Sequence, residues 1–201
     1  MTNETTVKIK RQLLTLHYNV MNAIAKWGHL SVPSLHKLMP DKRPLNALYK
    51  ATRELTAWGW LDCVVDKRKN KIFALTSRAV QELGIQGLET RGRSFLQMDI
   101  ARTVWAFDQD GFFETLGLEA QPSIKMLDCV VKGPNPKALI VDHDLNHVSK
   151  TFQRVEDFAS AASPDAPLDI IALSEHRATE LQRFITQKGF RFQVHLIEID
   201  V

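Results

Sequence analysis

Residues 60–75 read WLDCVVDKRKNKIFAL, two apolar runs on either side of a basic turn. Apolar and polar residues alternate over 60–65 and again over 71–75, which predicts two β-strands. The polar residues 66–70 between them predict a short turn. We therefore expect a β-hairpin whose tip carries a cluster of cations, namely Lys67, Arg68 and Lys69.

Two helices are predicted well before this hairpin. Apolar residues recur at steps of three and four from Ile9 to Trp27, which predicts a first helix that Gly28 ends. A short second helix should follow Ser31, whose hydroxyl can cap it while Pro33 occupies its first turn.

A third amphipathic helix is predicted over about 44–58, ending at Gly59. Its period places four residues on the buried side, namely Leu45, Leu48, Thr52 and Leu55. The same period leaves polar and basic residues outside, namely Arg43, Asn46, Lys50 and Arg53. A closing helix is expected from Thr76 through Leu83.

Three helices, a basic hairpin and a closing helix follow the order of a winged helix-turn-helix domain, which binds duplex DNA. The predicted DNA contacts lie on the third helix and the hairpin: Arg43, Asn46, Lys50, Arg53, Lys67, Arg68, Lys69 and Lys71. Each part also has a plainer interpretation, since amphipathic helices mostly form cores and a basic turn can simply blunt a sheet edge. Some winged helices contact only proteins, so a protein adaptor stays open as an alternative.

The composition is that of a globular protein. The chain has 201 residues, 44% of them hydrophobic and 24% charged, which fits one or two domains. It contains no apolar run approaching the roughly twenty residues that span a bilayer. A cytoplasmic protein without a membrane partner is therefore expected.

The net charge of +3 hides two halves of opposite sign. Residues 1–93 contain sixteen lysines and arginines against seven acidic residues, or +9, whereas the remainder contains ten against sixteen, or −6. A cationic half suits a polyphosphate partner, because each neutralised phosphate releases counterions. Charge alone does not separate nucleic acid from a membrane surface, and the predicted element order favours DNA.

The second half alternates helices with short apolar runs. A helix over 95–107 should turn Leu96, Ile100, Val104 and Phe107 to one side. Strands are expected over 126–132, 138–142, 168–173 and 192–199, with helices over 148–161 and 175–188 between the later ones, the last ending at Gly189. The residues 112–118 are ambiguous. The whole chain is thus predicted to be α+β, with a winged-helix domain over 1–88, a joint near 84–93 and a small α/β domain over 94–201.

Acidic residues at the ends of two predicted strands are the candidates for chemistry. Asp128 lies in one strand, and Asp142 and Asp144 end the next. Such carboxylates can share Mg²⁺ or Mn²⁺, which polarises a phosphodiester and activates water. Alternatively they cap helices or form turns, and no cofactor is then expected. If these carboxylates do no chemistry, Asp142→Asn is predicted to leave DNA binding and biological activity nearly intact and to stabilise the fold by relieving repulsion from Asp128 and Asp144. If they hold a metal, the same change is predicted to abolish nicking while DNA binding persists.

Other sites are not indicated. Cys63 and Cys129 lie in apolar runs without a CxxC partner, so both are expected to be buried and reduced. The histidines lack zinc-ligand spacing. P-loop, dinucleotide-binding and hydrolase-elbow motifs are absent from the sequence.

Three stretches carry a family resemblance. Residues 72–76 read IFALT and are followed by Ala79 and Leu83, residues 127–131 read LDCVV, and residues 140–144 read IVDHD. On these stretches the chain resembles the replication-relaxation family and the related MobC-type relaxases of mobilisable plasmids. In that family a winged helix precedes a restriction-endonuclease-like domain.

The resemblance includes the acidic motif of the family, which this chain would contain with substitutions. Asp128 falls on the aspartate of a Pro-Asp-Ala strand, and Asp142 and Asp144 fall on a Glu-x-Asp strand in which Asp142 replaces glutamate. Arg154 stands where a lysine is usual, and an arginine cannot give up its proton as a lysine can. Lys150, one turn earlier, is the candidate to stabilise developing charge instead.

The resemblance implies a DNA-processing role in a bacterial mobile element. We expect a sequence-specific DNA-binding accessory factor of conjugation or replication, or a transcriptional regulator. Its second domain would serve for homodimerisation or for contact with conjugation or replication proteins. The alternative is a Mg²⁺- or Mn²⁺-dependent relaxase or nicking endonuclease at a transfer origin.

Overall fold

The protein has a mixed α+β fold, as predicted. Its computed structural model describes residues 13–39, 43–84, 95–109, 118–119, 126–132, 136–143, 146–162 and 166–199. Within these ranges the chain forms seven helices and two β-sheets. None of the described helices is both long and apolar enough to cross a bilayer.

Most elements lie within their predicted ranges, but β5 and β8 are shorter than predicted and α1 begins at Thr15, after the non-helical residues 13 and 14. Residues 9–12 of the predicted first helix and residues 85–93 of the predicted joint lie outside the described residues. The helices of the described ranges are α1 (Thr15–Trp27), α2 (Val32–Leu38), α3 (Leu45–Ala57), α4 (Ser77–Leu83), α5 (Leu96–Phe107), α6 (Val148–Ala161) and α7 (Glu175–Lys188). The strands are β1 (Leu30–Ser31), β2 (Leu61–Val65), β3 (Lys71–Leu75), β4 (Leu118–Glu119), β5 (Cys129–Val131), β6 (Lys137–Val141), β7 (Leu168–Ala172) and β8 (Gln193–Leu196). Of the ambiguous residues 112–118, only Leu118 belongs to the described part.

Local signals set the helix ends. Gly28 ends α1 with a φ of 82°, a conformation that favours glycine. The Ser31 hydroxyl accepts a hydrogen bond from the Ser34 N–H at the start of α2. Thr76 caps α4 in the same way through the Ala79 N–H. These predicted caps are confirmed.

The first sheet contains the predicted hairpin and one strand that was not predicted. β2 and β3 pair antiparallel, with Leu61 opposite Leu75. β1 joins the other edge of β3, with Leu30 opposite Phe73. A two-residue strand is too short to show an alternating pattern, so it cannot be read from the sequence.

Most of the predicted inner side of α3 is buried. Leu48, Thr52 and Leu55 are buried together with Ala51. Leu45 was predicted to face inward, but its side chain is 42% exposed. The apolar stripe in the sequence thus begins one turn before the packing does.

The second sheet has the order β4-β5-β6-β7-β8. The first three strands are antiparallel neighbours, whereas β6, β7 and β8 run parallel. Parallel strands need crossover connections, and α6 and α7 provide them. These two helices cover one face of the sheet, where Val155, Phe158 and Leu181 pack against Ile140 and Ile170.

The other face of this sheet is buried together with the first unit of the chain. One continuous cluster contains Trp27 of α1, Trp105 of α5, and Leu139 and Ile171 of the sheet. The helix α5 therefore lies between the α1–α4 unit and the second sheet. A single hydrophobic core joins them.

The side of α5 that is buried differs from the predicted one. Leu96 is buried, but Ile100 and Phe107 are only partly covered and Val104 is 39% exposed. The buried residues of α5 include the charged Asp99 and Arg102 instead. An apolar period cannot anticipate this, because charged groups are buried only where another element supplies partners.

One of the two cysteine predictions is wrong. Cys129 is buried, and this burial raises the pKa of its thiol to about 12. Cys63 is exposed. Leu61, at the start of β2, is covered, but the residues that follow it on this edge strand are not buried.

Candidate functional site

The structure places every predicted DNA contact at the surface. Asn46, Lys50 and Arg53 lie on the side of α3 opposite Leu48 and Leu55. Five more cations are exposed just before this helix and along the hairpin: Arg43, Lys67, Arg68, Lys69 and Lys71. The resulting basic surface, which consists of these eight residues, belongs to one compact unit.

The tip of the hairpin is held by Asp66 and Asn70. The Asp66 carboxylate accepts the Asn70 backbone N–H at 2.7 Å and its side-chain amide at 2.9 Å. The amide hydrogen bond from Asn70 lowers the pKa of Asp66, so this carboxylate is ionised at neutral pH. Lys69 adopts a φ of 63° in the turn, and its N–H donates to the Asp66 carbonyl. This lock leaves the three cations at the tip exposed.

A partly buried hydrogen bond between His17 and Glu54 links α3 to α1. His17 of α1 is 2% exposed, and its Nε2 lies 3.0 Å from Oε2 of Glu54. The His17 ring also meets the Trp58 ring edge-on, with centroids 5.0 Å apart. These contacts orient the exposed side of α3 relative to α1.

Two exposed tyrosines of the first unit were not predicted as site residues. Tyr49, next to Lys50 on α3, is 50% exposed, and Tyr18 of α1 is 45% exposed. A phenol can donate a hydrogen bond to a phosphate and offers an apolar ring. In the sequence, the only indication that these tyrosines are exposed was the position of each one in the period of its helix.

Asp128, the first predicted metal ligand, is paired with an arginine. Its Oδ2 accepts Nη2 of Arg154 at 2.6 Å and the Val141 N–H at 2.7 Å. The same guanidinium donates to the carbonyls of Met126 and Val141. Arg154 thus fastens α6 to the start of β5 and the end of β6.

Asp142, the second predicted ligand, is paired with a different arginine. Its side chain is fully buried, and both oxygens accept from Arg177, at 2.6 and 2.8 Å. The Thr151 hydroxyl donates a further short hydrogen bond to Oδ1. The prediction that Asp142→Asn would relieve repulsion is therefore reversed, because Arg177 neutralises this carboxylate.

The two carboxylates are thus not left open toward a shared cation. A metal at Asp142 would have to displace a bidentate guanidinium. Asp144 lies outside the described residues, and Lys150 is exposed on the first turn of α6. Within the described ranges, no group of three or more histidine, cysteine or acidic residues could hold a metal ion. Arg177 follows Asp142 by 35 residues, so no local motif pointed to it.

A buried polar cluster joins α1 to α5. Asp99 Oδ2 lies 2.8 Å from His29 Nδ1 and accepts the His29 N–H, while Asp99 Oδ1 accepts Arg102 Nη2 at 3.1 Å. Arg102 Nη2 also donates to the carbonyl of Trp27. We call His29, Asp99 and Arg102 the joint cluster. Their hydrogen bonds set how the α1–α4 unit lies against α5.

A second buried carboxylate fixes α5 on the sheet. Asp169 of β7 accepts the Trp105 Nε1–H at 2.7 Å, and Lys137 Nζ lies 2.6 Å from the same oxygen. Asp169 is 2% exposed, whereas the side chain of Lys137 is 32% exposed and reaches the solvent. Together with the joint cluster, Asp169 holds α5 at both of its packed surfaces.

Comparisons of this chain with protein-family models, with curated proteins and with solved structures find no match.

Proposed function

We propose that the protein is a sequence-specific duplex DNA-binding protein whose α1–α4 unit is a winged helix. The observation that carries this proposal is the basic surface, in which the outer side of α3 and the hairpin that follows it in the chain both expose cations. The element order, with a short strand between α1 and α2 and a hairpin after α3, supports it further.

The outer side of α3 has the chemistry to read bases. Asn46 and Lys50 are one helical turn apart and both exposed. An asparagine can make two hydrogen bonds to adenine, and a lysine can donate to guanine, in the major groove. The hydrogen bond between His17 and Glu54 would keep this side of the helix in a fixed orientation.

The hairpin has the chemistry to bind phosphate. Its turn is locked by Asp66 and Asn70, so Lys67, Arg68 and Lys69 are presented on a defined scaffold. Cations of this kind position a protein on the duplex without reading sequence. The charge of +9 in residues 1–93 supplies the long-range attraction.

The second unit serves in this proposal as a nuclease-like scaffold for a second copy of the chain or for a protein partner. The arginine pairs at Asp128 and Asp142 support a scaffold over a catalyst, because they neutralise the carboxylates that a metal would need. The resemblance to the replication-relaxation family extends the proposal to conjugation or replication of mobile DNA, or to its transcription. Two findings would replace this proposal. One is metal-dependent nicking of DNA by the protein, and the other is a role as a protein adaptor that does not bind DNA.

Two sets of substitutions should separate base reading from phosphate binding. On a duplex selected from random sequences, Asn46→Ala should cost about 1–3 kcal/mol and relax the sequence preference. Replacing Lys67, Arg68 and Lys69 by glutamine should weaken binding to all sequences alike and reduce the salt slope by about 3. Electrophoretic mobility shift and fluorescence anisotropy measure both effects.

The matched control removes three exposed cations from the second unit, by glutamine substitution of Lys132, Arg183 and Arg191. It changes the net charge equally and should leave the affinity nearly unchanged. If the control weakens binding as much as the hairpin variant does, binding follows net charge and not the basic surface. If the hairpin variant alone changes sequence preference, the hairpin reads the bases.

A further inference from the structure

An open cleft of about 700 Å³ lies where the hairpin, α5 and the residues after β8 meet. This volume is within the range of sites for small molecules, which occur preferentially at such junctions. The cleft is separate from the outer side of α3 that carries Asn46, although Tyr49 of that helix reaches its edge.

One wall of the cleft is an apolar stripe on α5, and Lys37 of α2 lies over the ring at one end of it, 4.7 Å from the Phe107 centroid. Ile100, Val104 and Phe107 of α5 recur at helical spacing, and all three line the cleft. They are the residues that the sequence predicts to be buried, yet Val104 is 39% exposed. Ile197 and Ile199 after β8 continue the same wall.

The hairpin side of the cleft is basic. Arg68, Lys69 and Lys71 line the cleft together with the carboxylates of Asp66 and Glu198, so three cationic side chains stand against two acidic ones. Asp66 is held within the turn by Asn70 and is ionised, so it balances one of the three cations. A cleft with an apolar wall and a net positive charge complements a ligand with an apolar body and an anionic head.

We infer that this cleft is a binding site for a small amphipathic organic anion, such as a medium-chain carboxylate. The carboxylate lies against Arg68 and Lys71, and the hydrocarbon chain lies along Ile100, Val104 and Phe107. Burial of the chain supplies most of the affinity, and the cations select an acid over the corresponding alcohol.

The test is a calorimetric titration of the full chain with octanoate and with 1-octanol. We expect one octanoate per chain, and Val104→Asn should weaken its binding about tenfold through loss of apolar contact. Ile199→Asn, in the segment after β8 that also lines the cleft, should likewise weaken octanoate binding. The control is Leu196→Asn, a residue outside the cleft with a similar exposure of 42%, which should bind octanoate as the wild type does.

The charge requirement is tested by replacing Arg68 and Lys71 together with glutamine. This variant should lose octanoate affinity and keep its affinity for 1-octanol. Absence of octanoate binding to the wild type would overturn the inference. So would an equal loss in Leu196→Asn, or octanoate binding that does not depend on the two cations.

The site also predicts an effect on DNA, and this part alone rests on the proposed function. Because Arg68, Lys69 and Lys71 belong to both surfaces, octanoate should compete with phosphate and weaken duplex binding. The Val104→Asn variant should bind DNA normally and be less sensitive to octanoate. Failure of DNA binding would leave the calorimetric result unaffected, so the two proposals fail separately.

Discussion

Asp142→Asn should destabilise the protein by about 3 kcal/mol, because it leaves the largely buried guanidinium of Arg177 with the more distant Glu180, 3.9 Å away, in place of its bidentate counter-charge. The Asp142 side chain is fully buried and that of Arg177 is 11% exposed, so water cannot compensate well for the lost pair. The Thr151 hydroxyl would also face an amide in place of a carboxylate. Urea unfolding followed by circular dichroism measures the change in the free energy of unfolding.

The control for this change is Asp157→Asn on the exposed side of α6, where the carboxylate meets only the side chain of Gln153 among the hydrogen bonds of the described residues. It should alter stability by less than about 0.5 kcal/mol. An Asp142→Asn variant as stable as the wild type would contradict the structural role of the pair. Stabilisation of the wild type by Mn²⁺, together with Mn²⁺-dependent nicking that Asp142→Asn abolishes, would establish the enzyme instead.

Gly28→Ala should cost about 2–5 kcal/mol, from backbone strain and from a clash at the joint cluster. Its φ of 82° disfavours any side chain, and an added Cβ would lie 2.1 Å from Oδ2 of Asp99. Relief requires Asp99 to move away from both His29 and Arg102. The substitution therefore loosens the contact between the α1–α4 unit and α5, which thermal and urea unfolding detect.

Gly59→Ala is the matched control for this prediction. Gly59 has a similar φ of 75°, but an added Cβ would meet nothing within 4 Å. It should cost only the backbone strain, about 1–2 kcal/mol. If both substitutions destabilise the chain equally, the close approach of Gly28 to Asp99 adds no energy and the joint cluster is looser than its geometry indicates.

The local elements were predictable because their signals are local. Ser31, Thr76 and Gly28 mark helix ends by the side-chain or backbone chemistry that those ends require. Alternation around a basic turn predicted the two strands of the β2–β3 hairpin, although not their register. The exposure of Asn46, Lys50 and Arg53 followed from the amphipathic period of α3 alone.

The features that the sequence did not predict depend on distant partners. Asp142 becomes part of a buried pair only because Arg177 arrives from α7, and Asp99 is buried only because His29 and Arg102 surround it. Periodicity assigns such groups to the solvent side. For the same reason, periodicity predicted the wrong buried side of α5. Its apolar residues Ile100 and Val104 face a cleft, whereas its polar side is packed.

The most direct test of the central claim is the salt dependence of duplex binding by the purified chain. If the basic surface neutralises about six phosphates, a plot of log Kobs against log salt concentration should have a slope near −5. Fluorescence anisotropy with a labelled duplex between low and moderate salt gives this slope directly. A flat response, or no binding at low salt, would contradict DNA recognition and favour a protein adaptor.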